Sequence, residues 1–290
     1  MSKFDCIVAL GCSFVAGSNI NDSDGNFVGD KYRASKLLSE HFKCEEFNLA
    51  HPGYGNESII SSGYNWIRKN IKFKKPLFLI GTSGLSRERI WSNYSKKYWD
   101  LHLFDFPEKH TSKFNSILKS RVDKITGPDS NPLLLEHYVD IKTKYMFDFE
   151  QERKKLCQNI ILFDSFLAKH NYENIFFNSL TNDISEITGE INYMTFNVDS
   201  KKDTPMRRDD IGVHYKFKPI VEDCWYHSIW KEIRLSGLYD QHKFNEHKLY
   251  DITKNNKPPY GEYLCGGHPS PGANKTLANK VLKYIDENNI

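Results

Sequence analysis

Three short apolar runs, each closed by a glycine-containing turn, constrain this chain more than any other feature. They are Phe4 to Gly11, Glu46 to Ala50 (followed by His51-Pro52-Gly53-Tyr54-Gly55), and Pro76 to Gly81. Between them, Lys31 to Phe42 places Tyr32, Leu37, Leu38 and Phe42 at helical spacing. Ser58 to Ile71 does the same with Ile59, Ile60, Tyr64 and Ile67. A short run that is apolar throughout reads as a strand buried on both faces. Strands alternating with helices point to a parallel α/β sheet with right-handed crossovers. Chemistry in such sheets lies beyond the carboxyl ends of the strands. Here those ends are Cys12-Ser13, His51 to Asn56, and Thr82-Ser83-Gly84.

The pattern returns further along. Glu150 to His170 is helical by its Leu156, Ile160, Phe163, Phe166 and Leu167, and Asn174 to Asn178 reads as a fourth strand. Gly272 to Ile290 is a last helix with Leu277, Val281, Leu282 and Ile285 on one face. Residues 91–149 and 181–260 are less regular, with a turn at 127–132 and a helix expected near 219–235. They read as insertions into one α/β domain.

Of the 290 residues, 39% are hydrophobic, enough for a real core, which excludes wholesale disorder. A net charge of +3 gives no support to a nucleic-acid or membrane-surface role. No apolar run approaches the ~20 residues of a membrane span, and the N-terminus is too short and acidic for a signal peptide. Six cysteines lie far apart with no C-x-x-C pair, as reduced thiols do, and a cytoplasmic protein is expected. The Lys- and Asn-rich, Pro-poor composition suits an AT-rich genome, such as a phage's.

Two residue types at the sheet edge point to nucleophilic chemistry. Ser13, in Gly11-Cys12-Ser13-Phe14-Val15-Ala16-Gly17, follows the first strand. A serine needs a base within hydrogen-bond reach. The best candidate is His268, in Cys265-Gly266-Gly267-His268-Pro269-Ser270-Pro271-Gly272 before the last helix. A serine in a glycine-rich turn ordinarily serves the turn, and a lone histidine ordinarily packs. The order of four blocks separates these two from that background: Gly11 to Gly17, Asn48 to Gly53, Ile80-Gly81-Thr82-Ser83, and His268-Pro269.

In that order the blocks resemble those of the SGNH/GDSL hydrolase family. The likeness covers about 1–90 and 260–290, with the helix at 150–170 and the strand at 174–178 between. It implies a three-layer α/β/α fold around a central, mostly parallel sheet of flavodoxin-like type. Residues 1–290 would form a single domain with insertions at about 91–149 and 181–260. By the same resemblance, Ser13 is the nucleophile and His268 the general base. The Ser13 and Gly53 amides donate to the oxyanion. The activity implied is hydrolysis of a small acyl ester, as by an esterase or deacetylase, with no cofactor.

The chain departs from the family pattern at three positions. Cys12 replaces an Asp that does no chemistry. The third-block Asn falls on Ser83, so a donor there is either the Ser83 hydroxyl or Asn56 reaching across from the neighbouring loop. Cys265 occupies the acid position three before His268, which leaves a Ser–His dyad with a backbone carbonyl, Glu262 or Asp251 on the imidazole. Arg87 and Arg89 follow the third strand; either one clamps a substrate carboxylate or phosphate, or both pair at the surface with Glu88. Cys12, Cys265 and His268 lack the fourth ligand and tight spacing of a metal site, so no metal is expected.

Aromatics gather around Trp91 (Ile90 to Trp99) and around Cys224 to Trp230. Sugar rings stack on such side chains, which makes a carbohydrate ester a candidate substrate; the plainer account is that they hold insertions onto the core. His227, His242 and His247 read as surface residues. The replaced acid and third-block Asn motivate an alternative, a catalytically impaired binding or structural module of a viral assembly. A transferase using the same dyad is a third reading.

Overall fold

A computed structural model describes residues 2–20, 26–103, 123–127, 133–180, 184, 187–196, 225, 228–229, 264–265 and 268–290. In chain order, β1 (Cys6–Leu10) leads to the one-turn helix α1 (Ser13–Ala16), α2 (Gly29–Tyr32), α3 (Ala34–Phe42), β2 (Glu45–Asn48), α4 (Asn56–Lys69) and β3 (Pro76–Thr82). A hairpin of β4 (Arg87–Ser92) and β5 (Lys97–His102) follows. Then come α5 (Leu133–Ile141), a π turn over Lys142–Met146, α6 (Phe149–Lys169) and β6 (Glu173–Asn178). Two-residue strands β7 (Leu264–Cys265) and β8 (His268–Pro269) precede α7 (Pro271–Asn288).

Four strands form one parallel sheet in the order β2-β1-β3-β6, of which β1, β3 and β6 are largely apolar. Alternate side chains of a strand face opposite ways, so an all-apolar strand needs a layer on each side. On one face Ile7, Ala9, Leu77, Leu79, Ile175 and Phe177 meet Leu38 of α3 and Leu277, Val281 and Ile285 of α7. On the other, Val8, Leu10, Phe78, Ile80 and Phe176 meet Ile59 and Ile67 of α4 and Ile160, Phe163 and Leu167 of α6. This is the three-layer α/β/α architecture with a parallel centre expected from the sequence. The chain runs from β1 outward to β2 and returns across β1 to β3. The strand order therefore reverses between β1 and β3, the kind of switch point beyond whose carboxyl ends ligand sites of open α/β sheets lie.

Some expectations needed correcting. Lys31 to Phe42 is not one helix: it breaks at Arg33, whose backbone is extended, and there the guanidinium turns to Glu46 of β2. Part of 91–149 is regular, comprising most of the hairpin, α5, the π turn and the start of α6. The hairpin strands carry Arg87, Glu88, Arg89, Lys97 and Asp100, so no apolar alternation announces them. Among the described residues they pack a small apolar cluster around Leu101, Ile125 and Val139, and β4 also meets α4.

Most of the second expected insertion, including much of the helix sought near 219–235, lies outside the described residues. What is described of it packs on the core. Trp225 is 2% exposed, with ring contacts to Phe14 and Phe177. Asn192 and Met194 extend the sheet alongside Phe176. Among the described residues, no helix is long and apolar enough to cross a membrane.

Candidate functional site

The exits of β1 and β3 are built for close approach. A methyl group on Gly11 would lie 2.4 Å from Val15 Cγ2, and one on Gly81 2.6 Å from the same atom. Glycine at each exit thus lets α1 settle over the switch point, which puts Ser13 directly beyond β1. Gly81→Ala would also meet Phe177. It should displace α1 and cost about 1–3 kcal/mol by overpacking, measurable as a lower urea midpoint at unchanged slope.

Ser13 opens α1 and is 8% exposed. Gly17 ends that turn in the left-handed region, and Ser18 N–H donates back to Ser13 O at 3.0 Å. Cys12 is wholly buried, its Sγ 3.9 Å from Ser179 Oγ. From β2, Asn48 Nδ2 donates to Ala16 O at 3.3 Å, fastening the far end of α1.

Parallel pairing continues past β2. Leu49 N–H bonds Ala9 O at 2.9 Å and His51 N–H bonds Gly11 O at 3.1 Å. The His51 to Gly55 turn is thereby carried beside the β1 exit. Gly53 in that turn has φ +89°, and a Cβ there would meet nothing within 4 Å, so its backbone lies open.

Asn56 opens α4, and its amide clamps the end of β3. Oδ1 accepts from Ser83 N–H at 2.7 Å and Nδ2 donates to Ser83 O at 2.8 Å. Ser83 is fully buried, so Asn56→Ala would leave a buried donor and acceptor unpaired. The expected loss is about 2 kcal/mol, read by thermal or urea denaturation.

Arg87, on β4 rather than in a loop, donates through Nη1 to both Tyr54 O and Ser83 Oγ at 2.9 Å. It ties the Gly53 turn to the β3 exit. Asp100 of β5 accepts from Gly55 N–H at 3.0 Å at the start of α4. Burial pushes its carboxyl above the ordinary range, against the opposing pull of Ser58, Gly55, Arg89 and Arg87.

His268 reaches the same edge from the other end of the chain. β8 packs against α1 and α7. The imidazole lies 5.2 Å from the Phe14 ring, and its Nδ1 is 3.0 Å from Asn19 Nδ2. The strand is held from behind by Asn274, 1% exposed, whose Nδ2 donates to Pro269 O and Ser270 O while Oδ1 accepts from Ala34 N–H. Ser270 Oγ caps α7 by accepting from Ala273 N–H at 3.2 Å. Asn19 and Asn274 carry no motif that marks them in the sequence; only the fold shows what they touch. Asp251 and Glu262 lie outside the described residues, and Cys265 stands opposite His268 in backbone register.

The remaining candidates sit on the hairpin strand β4. Arg87 and Arg89 line a cavity of about 280 Å³ with Asn56, Glu88, Lys142 and Lys155. Glu88 bonds Lys142 at 2.9 Å rather than an arginine, and Arg89 lies over the Tyr98 ring at 3.9 Å. Trp91 is half exposed on the hairpin, its indole N–H donating to Asn93 Oδ1 and its ring against Tyr98. It lines a separate groove with Tyr94 and Tyr138. Among the described residues, no three His, Cys, Asp or Glu side chains converge as metal ligands would.

No family model matches the chain, and no curated protein matches it. Among solved structures it is similar to a carbohydrate esterase whose active site is described as displaying divergent catalytic and non-catalytic binding functions. The identity is 13% and the TM-score 0.41, over 99% of this chain and 69% of that one.

Proposed function

We propose that the chain is a serine ester hydrolase of SGNH type. Ser13 Oγ attacks an acyl carbonyl while His268 takes its proton and passes it to the leaving alkoxide. Water then releases the acid from the acyl-enzyme. The observation that carries the reading is the convergence of two distant segments at one point: β8 seats His268 against α1, with its ring on Phe14, the residue after the nucleophile. The acyl group would lie at the switch point beyond β1 and β3, and the open Gly53 turn would supply an amide for the oxyanion. The alcohol portion of the substrate we assign to a sugar, on the strength of the exposed Trp91, Tyr94 and Tyr98.

A fluorophosphonate probe tests the reading. Labelling at Ser13, found by peptide mass and lost in Ser13→Ala, is expected, followed by release of acetate from acetylated sugars. Absence of labelling with a folded protein would instead favour a non-hydrolytic binding module. One observation leans that way: Ser83 Oγ and the Asn56 amide are already engaged with Arg87 and with the Ser83 backbone.

A further inference from the structure

We propose that Asn19 is the positioning residue for His268, holding the imidazole from the nucleophile's own turn; this rests on the esterase reading above. A general base works only if one ring nitrogen is held while the other faces the nucleophile. The Asn19 amide meets His268 Nδ1 at 3.0 Å. Asn19 lies two residues past Gly17, which ends the turn that Ser13 begins, and Ser18 N–H bonds Ser13 O within that turn. Asn19 itself has φ 59°, a left-handed conformation that asparagine adopts more readily than most side chains. The Phe14 ring supports the imidazole from the same turn. One short segment therefore carries the nucleophile, the packing surface of the base and the partner of its Nδ1.

The amide can serve both protonation states, and this decides the chemistry. With Nδ2 toward the ring, Nδ1 accepts and the neutral imidazole carries its proton on Nε2. A half-turn of the amide puts Oδ1 at the same place, where it accepts from Nδ1–H and leaves the Nε2 lone pair for the Ser13 proton. As Ser13 Oγ bonds to the acyl carbon, Nε2 takes that proton, and the imidazolium keeps its Nδ1–H on Asn19 Oδ1. Nε2 then delivers the proton to the departing alkoxide as the acyl–oxygen bond breaks. Among the described residues, the turns packed on β8, Ser13–Ala16 and Pro271–Asn274, bring no charged side chain, and β7 brings Cys265 opposite in register.

Asn19→Gly removes the amide and keeps the left-handed backbone. It should lower kcat about 10²-fold with KM little changed. Asn19→Asp should restore kcat and raise the His268 pKa by about one unit, because a carboxylate stabilises the imidazolium. That shift is read twice, in the acidic limb of kcat/KM and by nitrogen-15 NMR of the ring, which needs no substrate. An unchanged His268 pKa in folded Asn19→Asp overturns the proposal whatever the activity. So does a collapse of kcat in Glu262→Gln or Asp251→Asn with Asn19→Gly unaffected. A raised pKa in a protein without turnover overturns the esterase reading while Asn19 keeps its hold on His268.

Discussion

Ser13→Ala should lower the turnover of p-nitrophenyl acetate by about 10⁴-fold, with circular dichroism and thermal midpoint near wild type. The size follows from what the hydroxyl does. On the proposed mechanism, removing it would delete the covalent step and leave water to attack an ester held beside the oxyanion donors. Full serine–histidine–aspartate triads lose roughly 10⁶-fold on this change. A base held by a neutral amide starts from a slower wild-type enzyme, so the measured fall is smaller. His268→Ala should cost about as much, and the double variant little more, because nucleophile and base act as one unit. Equal losses in the two single variants and a non-additive double would tie both residues to one step. If Ser13→Ala kept more than a tenth of the wild-type rate, the covalent mechanism would be wrong.

How far the sequence spoke depends on what kind of interaction holds each part. The sheet was legible because β1, β3 and β6 are apolar on both faces, a pattern that depends only on the strand's own residues. Gly11 and Gly81 were legible as strand exits for a similar reason. The hairpin was not, since β4 and β5 mix charged with apolar residues in no regular alternation and find apolar partners, Ile125 and Val139, outside the hairpin. Asn19 and Asn274 were invisible for a stronger reason. An asparagine in a loop or a helix has many uses, and only the fold shows that one meets His268 Nδ1 and the other fastens Pro269 to Ala34. Motif order marked Ser13 and His268 as candidates, whereas the contacts that hold His268 span more than two hundred residues.

The largest stability effect should come from Glu46. Its side chain is 8% exposed and that of Arg33 12%, and they meet side-on: Nε to Oε1 at 2.7 Å and Nη2 to Oε2 at 2.8 Å. Ser35 Oγ adds a third hydrogen bond to Oε1 at 2.6 Å. A parallel pair of charge-assisted bonds on a guanidinium is among the stronger polar contacts a protein makes. Its removal from one side alone leaves the other charge buried. Glu46→Leu should therefore cost about 3 kcal/mol, seen as a lower urea midpoint and a thermal midpoint reduced by about 6–12 °C. Asp30, largely exposed, still reaches Arg33 and keeps the loss from being larger. Replacing both members, as Arg33→Met with Glu46→Leu, should recover most of it, because a buried pair competes with the desolvation of its own charges. The position of the pair gives the effect a functional side. Arg33 marks the break between α2 and α3, and the next residue, Ala34, donates to the Asn274 amide that holds Pro269 beside His268. Glu46 shares a strand face with Asn48, which fastens the end of α1. Loosening the pair should thus soften both anchors of the Ser13–His268 edge, lowering kcat in the single variant and restoring it in the double. A loss below 1 kcal/mol would class the pair with ordinary surface bridges and cut that link.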